Sequence, residues 1–232
     1  MAVGEQSGIA LPLLLSLGDC GLLVRFGAVL SDAANRRTIA FSRRLRLAPP
    51  EGVTEIAPNL VSVLLKYDPV RIDFERLAGQ VRLLLSDVDA DADADVDARL
   101  PRMQHQIAIT FGGSAGPDLV TVAEALRLTP AAFIAAHNAA PLRVLATGFA
   151  PGFVYCGFHP EALRLPRRTS VRPPVAPGSV LFAAGQTAIA STAIPTGWHV
   201  IGRTEFRNFD ASADPPTQLR EGDTVIFTAL PP

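Results

Sequence analysis

From Asp87 to Asp97 the chain alternates aspartate with Val or Ala, placing six carboxylates in eleven residues. Side chains that repel one another at this density offer nothing to bury, so the run divides the chain in two. A calcium loop is the competing reading, and the spacing rejects it. An EF-hand loop requires Gly at its sixth position and Glu at its twelfth. Counted from Asp87 those positions are Ala92 and Ala98; counted from Asp89 they are Ala94 and Leu100. The 232 residues therefore read as a domain at 1–86, a solvated Asp-rich linker at 87–99 and a second domain at 100–232. Each flank is long enough to build its own core.

In the first flank, Cys20–Phe26 has the apolar pattern of a strand. Ser31-Asp32 follows as a helix start, because both side chains accept from free N–H groups, and the helix runs to about Leu45. Val53–Ala57 and Leu60–Tyr67 read as strands divided by Pro58-Asn59. Asp73 then caps a helix with Phe74, Leu77, Val81 and Leu84 on one face. This β-α-β-β-α order predicts a split βαβ, ferredoxin-like domain.

In the second flank, the strand Gln106–Phe111 enters the loop 112–117. A helix over Asp118–Leu128 buries Leu119, Val122, Ala123 and Leu126. Thr129-Pro130 opens another, with a capping hydroxyl and proline at the first helical position, ending near His137-Asn138. From Leu142 short apolar runs (Leu142–Ala146, Ser179–Ala183, Thr187–Ala190, His199–Ile201, Thr224–Thr228) alternate with Gly/Pro turns. That spacing predicts an antiparallel barrel or sandwich, and the fold class is α+β.

Composition excludes several functions. The formal charge is −1, from 21 basic and 22 acidic residues, so a protein that lives on nucleic-acid phosphates is not expected. Cys20 and Cys156 lie far apart and form no C-x-x-C, which argues against a disulfide framework or zinc ribbon and for a reducing compartment. The run Ile9–Leu17 lacks a preceding Lys or Arg, contains Pro12 and meets Gly18-Asp19, unlike a signal peptide. No apolar stretch reaches the ~18 residues of a membrane span. The expectation is a soluble, cytoplasmic protein.

The chemistry-bearing residues fall into a few groups. The loop 112–117 lacks the Lys of a Walker loop, and Pro117 removes a donor, so it reads as a structural turn. Cys156 lies near His159, and His137 is free to approach, yet a cysteine between Tyr155 and Gly157 reads as a small core residue. Ser179 is not in a nucleophile elbow, and no ligand spacing points to a metal. His137 is explained by the helix macrodipole, which favours its protonated form at the helix C-terminus. The dense region is 147–202. Its loop carries Phe149, Pro151, Gly152, Phe153 and Tyr155; Arg167, Arg168 and Arg172 put three guanidinium groups within six residues; Gln186 and Trp198 add an amide and an indole. Arginine offers a rigid fork for carboxylate or phosphate. These ten residues suit a small planar ligand bearing a carboxylate or carbamoyl group. A barrel that merely needs Gly and Pro to turn, with solvated arginines, fits as well. No residue is assigned as catalytic.

The motifs F-G-G-x-x-G-P-D-L (111–119), G-F-x-P-G-F-x-Y (148–155), P-R-R (166–168), G-S-V (178–180), G-Q-T (185–187), P-x-G-W-x-x-I-G-R-T (195–204) and E-G-D-x-V-x-F (221–227) occur in order. L-G-D (17–19), Asn35, P-N-L-V-S-V-L-L (58–65) and Y-D-P (67–69) precede them. Together they resemble the family of the 5-oxoprolinase B-type subunit, also described as KipI or allophanate hydrolase subunit 1, of the carboxyltransferase subdomain C and D type. The resemblance implies a ferredoxin-like domain followed by a cyclophilin-like β-barrel. It implies two partners, a KipA-like C-type subunit, and with it a lactam-utilisation A-type subunit, in a hydrolase that opens 5-oxo-L-proline to L-glutamate with ATP. The same pair of barrels forms the biotin-dependent carboxyltransferase of urea carboxylase, and in another setting this kind of chain blocks a histidine kinase. The sequence departs from the pattern at Ala190-Ser191, where the family has Tyr-Pro, at Thr196, and at Cys156. With no Walker loop and no evident nucleophile, the chain is expected to act only within its complex, inactive alone. Arg167, Arg168 and Arg172 would bind an anion, Gln186 a carbonyl, and Phe149, Phe153 and Trp198 would wall the cleft.

Overall fold

The computed structural model describes residues 12–90 and 102–231. The chain forms two compact units, Met1–Pro101 and Arg102–Pro232.

The first unit contains β1 (Leu13–Ser16), β2 (Gly21–Arg25), α1 (Asp32–Leu47), β3 (Val53–Pro58), β4 (Ser62–Tyr67) and α2 (Phe74–Ala90). The expected caps form: Ser31 Oγ accepts from Ala34 N at 3.2 Å, and Asp73 Oδ1 from Arg76 N at 2.8 Å. The sheet order is β1-β2-β4-β3, with every neighbouring pair antiparallel. Strand β4 therefore sits between β2 and β3, the two strands joined through α1. Leu22, Val24, Val63 and Leu65 of the sheet pack with Phe41, Leu45, Leu77 and Val81 of the helices. The buried Asn35 donates through Nδ2 to Leu60 O at 2.8 Å, tying α1 to the β3–β4 turn.

Two features of this unit are invisible in the local pattern. Strand β1 pairs along the free side of β2, Leu13 opposite Arg25, within a run that reads only as a short apolar segment. Helix α2 continues to Ala90, because a nucleated helix gains one hydrogen bond for each residue added. Its backbone thus takes in the first four residues of the expected linker; positions 91–99 lie outside the described residues, as do 9–11 of the signal-like run.

The second unit contains β5 (Gln104–Phe111), α3 (Leu119–Ala125), α4 (Pro130–His137), β6 (Leu142–Thr147), β7 (Val154–Gly157), β8 (Arg172–Val175), β9 (Ser179–Ala183), β10 (Gln186–Ile189), β11 (Ile194–Thr196), β12 (His199–Arg203) and β13 (Thr224–Ala229). Seven strands close into a barrel in the order β10-β7-β6-β13-β5-β12-β9, and β8 and β11 form a separate ribbon. Of the two expected architectures the closed barrel is the one formed. It is not wholly antiparallel: β13 runs parallel to β5 over six pairs, from Thr224–Gln104 to Ala229–Ile109. Strand alternation makes two cores. Ile107, Ile109, Val144, Cys156, Phe182, Ile189, Ile201 and Phe227 fill one with Leu119, Val122 and Phe133 of the helices. Phe153, Leu181, Ala188, Trp198 and Val200 face the other way, against Val175 of β8 and Ile194 of β11.

The helix expected over Asp118–Leu128 stops at Ala125, where Arg127 takes φ +58° before Thr129 Oγ1 caps α4 through Ala132 N. Prolines at 173, 174 and 195 hide β8 and β11 from a sequence reading, since proline is confined to edge strands. No single helix among the described residues is long and apolar enough to cross a membrane; α3 and α4, apolar together, are bent by 87°.

Candidate functional site

The glycine loop is a docking turn. Its amides at Gly112 and Asp118 donate to Ile201 O and Val200 O of β12, and Gly116 N donates back to Gly112 O. A Cβ on Gly116 would collide with Ile201 O, so the close approach itself requires glycine. That turn delivers Asp118, a buried carboxylate. Its Oδ2 accepts from Val200 N at 2.8 Å, and its Oδ1 accepts from Arg168 Nη1 at 3.3 Å and from Arg172 Nη2. Arg168 N also donates to Gly197 O at 2.8 Å. Two of the three expected anion binders are thus held by one carboxylate from 50 and 54 residues upstream, while the Nε of each stays enclosed and unpartnered.

The third arginine is placed differently. Arg167 is exposed and sets its guanidinium carbon 5.5 Å from the centroid of the Trp198 ring, in cation–π range. Trp198 continues into a row of rings: Tyr155 at 5.9 Å, Phe153 at 4.8 Å from Tyr155, and Phe149 at 5.5 Å from Phe153. Phe149 is 75% exposed with φ +80°, a strained backbone that only the surrounding loop maintains. Gly152 (φ +68°) is wedged below: its carbonyl accepts from Ser191 Oγ at 2.6 Å and Asn208 Nδ2 at 2.9 Å. Pro151 is exposed at the tip of the loop.

Gln186 opens β10, whose Ala188 pairs with Tyr155 of β7, so the amide lies on the same face as the tyrosine. Its Oε1 is enclosed with no hydrogen-bond partner. Burial holds the Tyr155 phenol above its usual value, against a smaller opposing pull from Arg167, so it is an O–H donor at neutral pH. The structure therefore gathers Phe149, Phe153, Tyr155, Arg167, Gln186 and Trp198 on one face and draws Arg168 and Arg172 to Asp118. Of the departures from the family pattern, Ala190 packs in the outward-facing core, and Thr196 Oγ1 accepts from Trp198 N at 3.0 Å.

Sequence reasoning missed a second cluster. His137 Nε2 and His159 Nε2 both lie 2.8 Å from Thr187 Oγ1, and His137 Nδ1 lies 2.7 Å from Asn138 Oδ1. A carbonyl oxygen only accepts, so His137 carries its proton on Nδ1 and takes the Thr187 hydroxyl at Nε2; His159 Nε2–H then donates to Thr187. Burial pushes His137 down to about 4 and, with the neighbouring His137, His159 down to about 3. This corrects the macrodipole reading. His137 is neutral because Phe111, Phe133, Phe182 and Phe227 surround it, and desolvation outweighs a helix-end effect of at most ~2 kcal/mol. No short-range spacing signals this cluster, since its members come from three separate segments. Cys156 is fully buried and its thiol is pushed up to about 12, as a core residue rather than a nucleophile.

A barrel-bearing α+β chain whose outward face carries stacked rings and a seated arginine defines the class. The chain belongs to the family of the carboxyltransferase domain, subdomain C and D, whose model matches residues 12–219. It is 32% identical over 224 residues to the B subunit of 5-oxoprolinase from Bacillus subtilis (strain 168), covering 92% of this chain and 91% of that one. Among solved structures it is similar to TTHA0988, with a TM-score of 0.76 and 34% identity over 91% of this chain. It spans 40% of that longer chain. It also shares its fold with the Kluyveromyces lactis urea amidolyase, at a TM-score of 0.72 and 17% identity, over 94% of this chain and 15% of that one.

Proposed function

We propose that this chain is the B-type subunit of an ATP-dependent 5-oxoprolinase, opening 5-oxo-L-proline to L-glutamate together with a KipA-like C-type partner and a lactam-utilisation A-type partner. The observation that carries the reading is the 32% identity to the B subunit of a 5-oxoprolinase over nearly the whole of both chains. Under it, the first unit is a ferredoxin-like domain and the barrel a cyclophilin-like one.

The chemistry of the face supports the reading. A cyclic amide with a carboxylate presents a C=O acceptor, an N–H donor and an anion. The Tyr155 hydroxyl, the unpartnered Gln186 Oε1 and the exposed Arg167 are their complements in kind. Arg168 and Arg172, neutralised in part by Asp118, shape the segment 166–172, the strap that leads into β8, rather than meeting the ligand first. The lactam amide is stable, and the barrel offers no thiolate to attack it, Cys156 being held protonated in the core. ATP activation of the lactam is therefore assigned to the partners, with this chain completing the site. Its dependence on ATP makes the cytoplasm its compartment. The carboxyltransferase alternative, with biotin, has the description of the family behind it, while the likeness to urea amidolyase shows fold alone.

The test is ATP-dependent glutamate release from 5-oxoproline by this chain alone, by its two partners without it, and by the three together. Activity confined to the full mixture is expected. Release by this chain alone, or undiminished release without it, overturns the reading. So does silence in every mixture of folded, associated proteins, which directs attention to a biotinylated carrier and urea.

A further inference from the structure

A cavity of about 250 Å³ opens where β12 ends, lined among others by Ser191, Arg203, Glu205, Phe206, Arg207 and Phe209. Arg203 and Arg207 are exposed, and among the described residues neither has a carboxylate within 4 Å. Elsewhere on the barrel the arginines flanking the strap are paired: Arg168 and Arg172 with Asp118, Arg164 with Glu161. Glu205, the one carboxylate on the cavity, is likewise unpaired. Two cationic forks and one anion around a small polar cavity complement a ligand with two carboxylates and one ammonium.

We infer that the Arg203–Arg207 cavity is a binding site for an α-amino dicarboxylate, distinct from the Tyr155–Gln186 face. Arg203 and Arg207 take the carboxylates and Glu205 takes the ammonium. The inference rests on the function proposed above in one respect: such a molecule is what opening of a carboxylated five-membered lactam yields, so the site retains product.

The cavity shares a wall with the aromatic loop. A Cβ on Gly152 would collide with Phe209 Cβ and lie 2.9 Å from Ser191 Cβ, and Ser191 Oγ holds the Gly152 carbonyl. An occupant in contact with Ser191 and Phe209 therefore bears on the seat of the loop that carries Phe149 and Phe153. Product at one site is felt at the other.

The experiment is calorimetric titration of the isolated chain with L-glutamate, glutarate, L-glutamine and inorganic phosphate, repeated on Arg203→Gln, Arg207→Gln and Glu205→Gln. All three positions are exposed, and matching thermal melts confirm that the variants fold. Glutamate is expected to bind, and to weaken by about tenfold or more with either arginine replaced. Glu205→Gln is expected to weaken glutamate and to strengthen glutarate, which lacks the ammonium. Absence of glutamate binding, binding indifferent to the arginines, or equal binding of phosphate and glutamate overturns the inference. Glutamate release by the three-protein mixture is scored separately. Release without glutamate binding to this chain sinks the site alone; binding without release sinks the proposed function and leaves the site.

Discussion

Asp118 and Arg172, 54 residues apart, meet as a carboxylate and a guanidinium at the junction of the glycine loop, β12 and the strap that leads into β8. The same carboxylate oxygen receives Arg168, so one anion organises two cations that are each only about a quarter exposed. Replacing Asp118 with Asn keeps an acceptor for Val200 N and removes the charge. The expected loss is about 2 kcal/mol, below that of a fully buried pair because solvent reaches both arginines. Urea denaturation reads it as a lowered midpoint; an unchanged midpoint shows the cluster to be energetically idle.

Trp198 is the sole tryptophan, so its fluorescence reports the candidate face directly. Arg167→Ala is expected to shift its emission to the red as the indole loses its cover, at a cost of about 0.5–1 kcal/mol in stability. An emission maximum equal to that of the parent chain contradicts the stacked arrangement in solution.

The His137–Thr187–His159 chain predicts acid sensitivity. Both histidines titrate in the folded state below the ordinary value of 6.5, at about 4 and about 3. Between 6.5 and 4 the unfolded state therefore binds the proton first. The stability these residues contribute is complete above pH 6.5 and is lost as pH falls towards 4, by about 3 kcal/mol for His137. Stability measured from pH 7.5 to 4.5 shows this slope, and His159→Gln flattens it; a parent chain with no slope across that range refutes the buried, neutral pair.

Gly152 has no room for a methyl group, with Phe209 Cβ in collision and Ser191 Cβ 2.9 Å from where one would stand, and its φ is +68°. Gly152→Ala is expected to destabilise by about 2–3 kcal/mol and to raise the protease sensitivity of the 148–155 loop. Gly197→Ala serves as the comparison, because nothing lies within 4 Å of its missing Cβ and its φ is not in the left-handed region. Equal effects at the two positions argue against the wedge.

Much of this architecture is legible locally. Ser31, Asp73 and Thr129 announce their helices because a cap is a contact between residues three apart. The short apolar runs over Ser179–Ala183 and Thr224–Thr228 announce strands because each is bounded by Gly/Pro turns and is too short for a helix. The rings of 149–155 and the arginines of 167–172 mark the candidate face by residue type alone. What that pattern withholds is partnership: it offers three free guanidiniums where the fold leaves one, and it leaves His137 at a helix end where the fold buries it.

The amino-acid order by itself determined the helix starts, most barrel strands and the residues rich enough in chemistry to form a site. Tertiary structure alone decided that β13 lies parallel to β5 more than a hundred residues away, that β1 extends the first sheet, that Asp118 takes Arg168 and Arg172, and that Thr187 stands between two histidines. The physical reason is range. Caps and short apolar runs are set by neighbours within a turn or a pleat, whereas closing a barrel sets its register through contacts between distant segments, and only then do buried charges and rings find their partners.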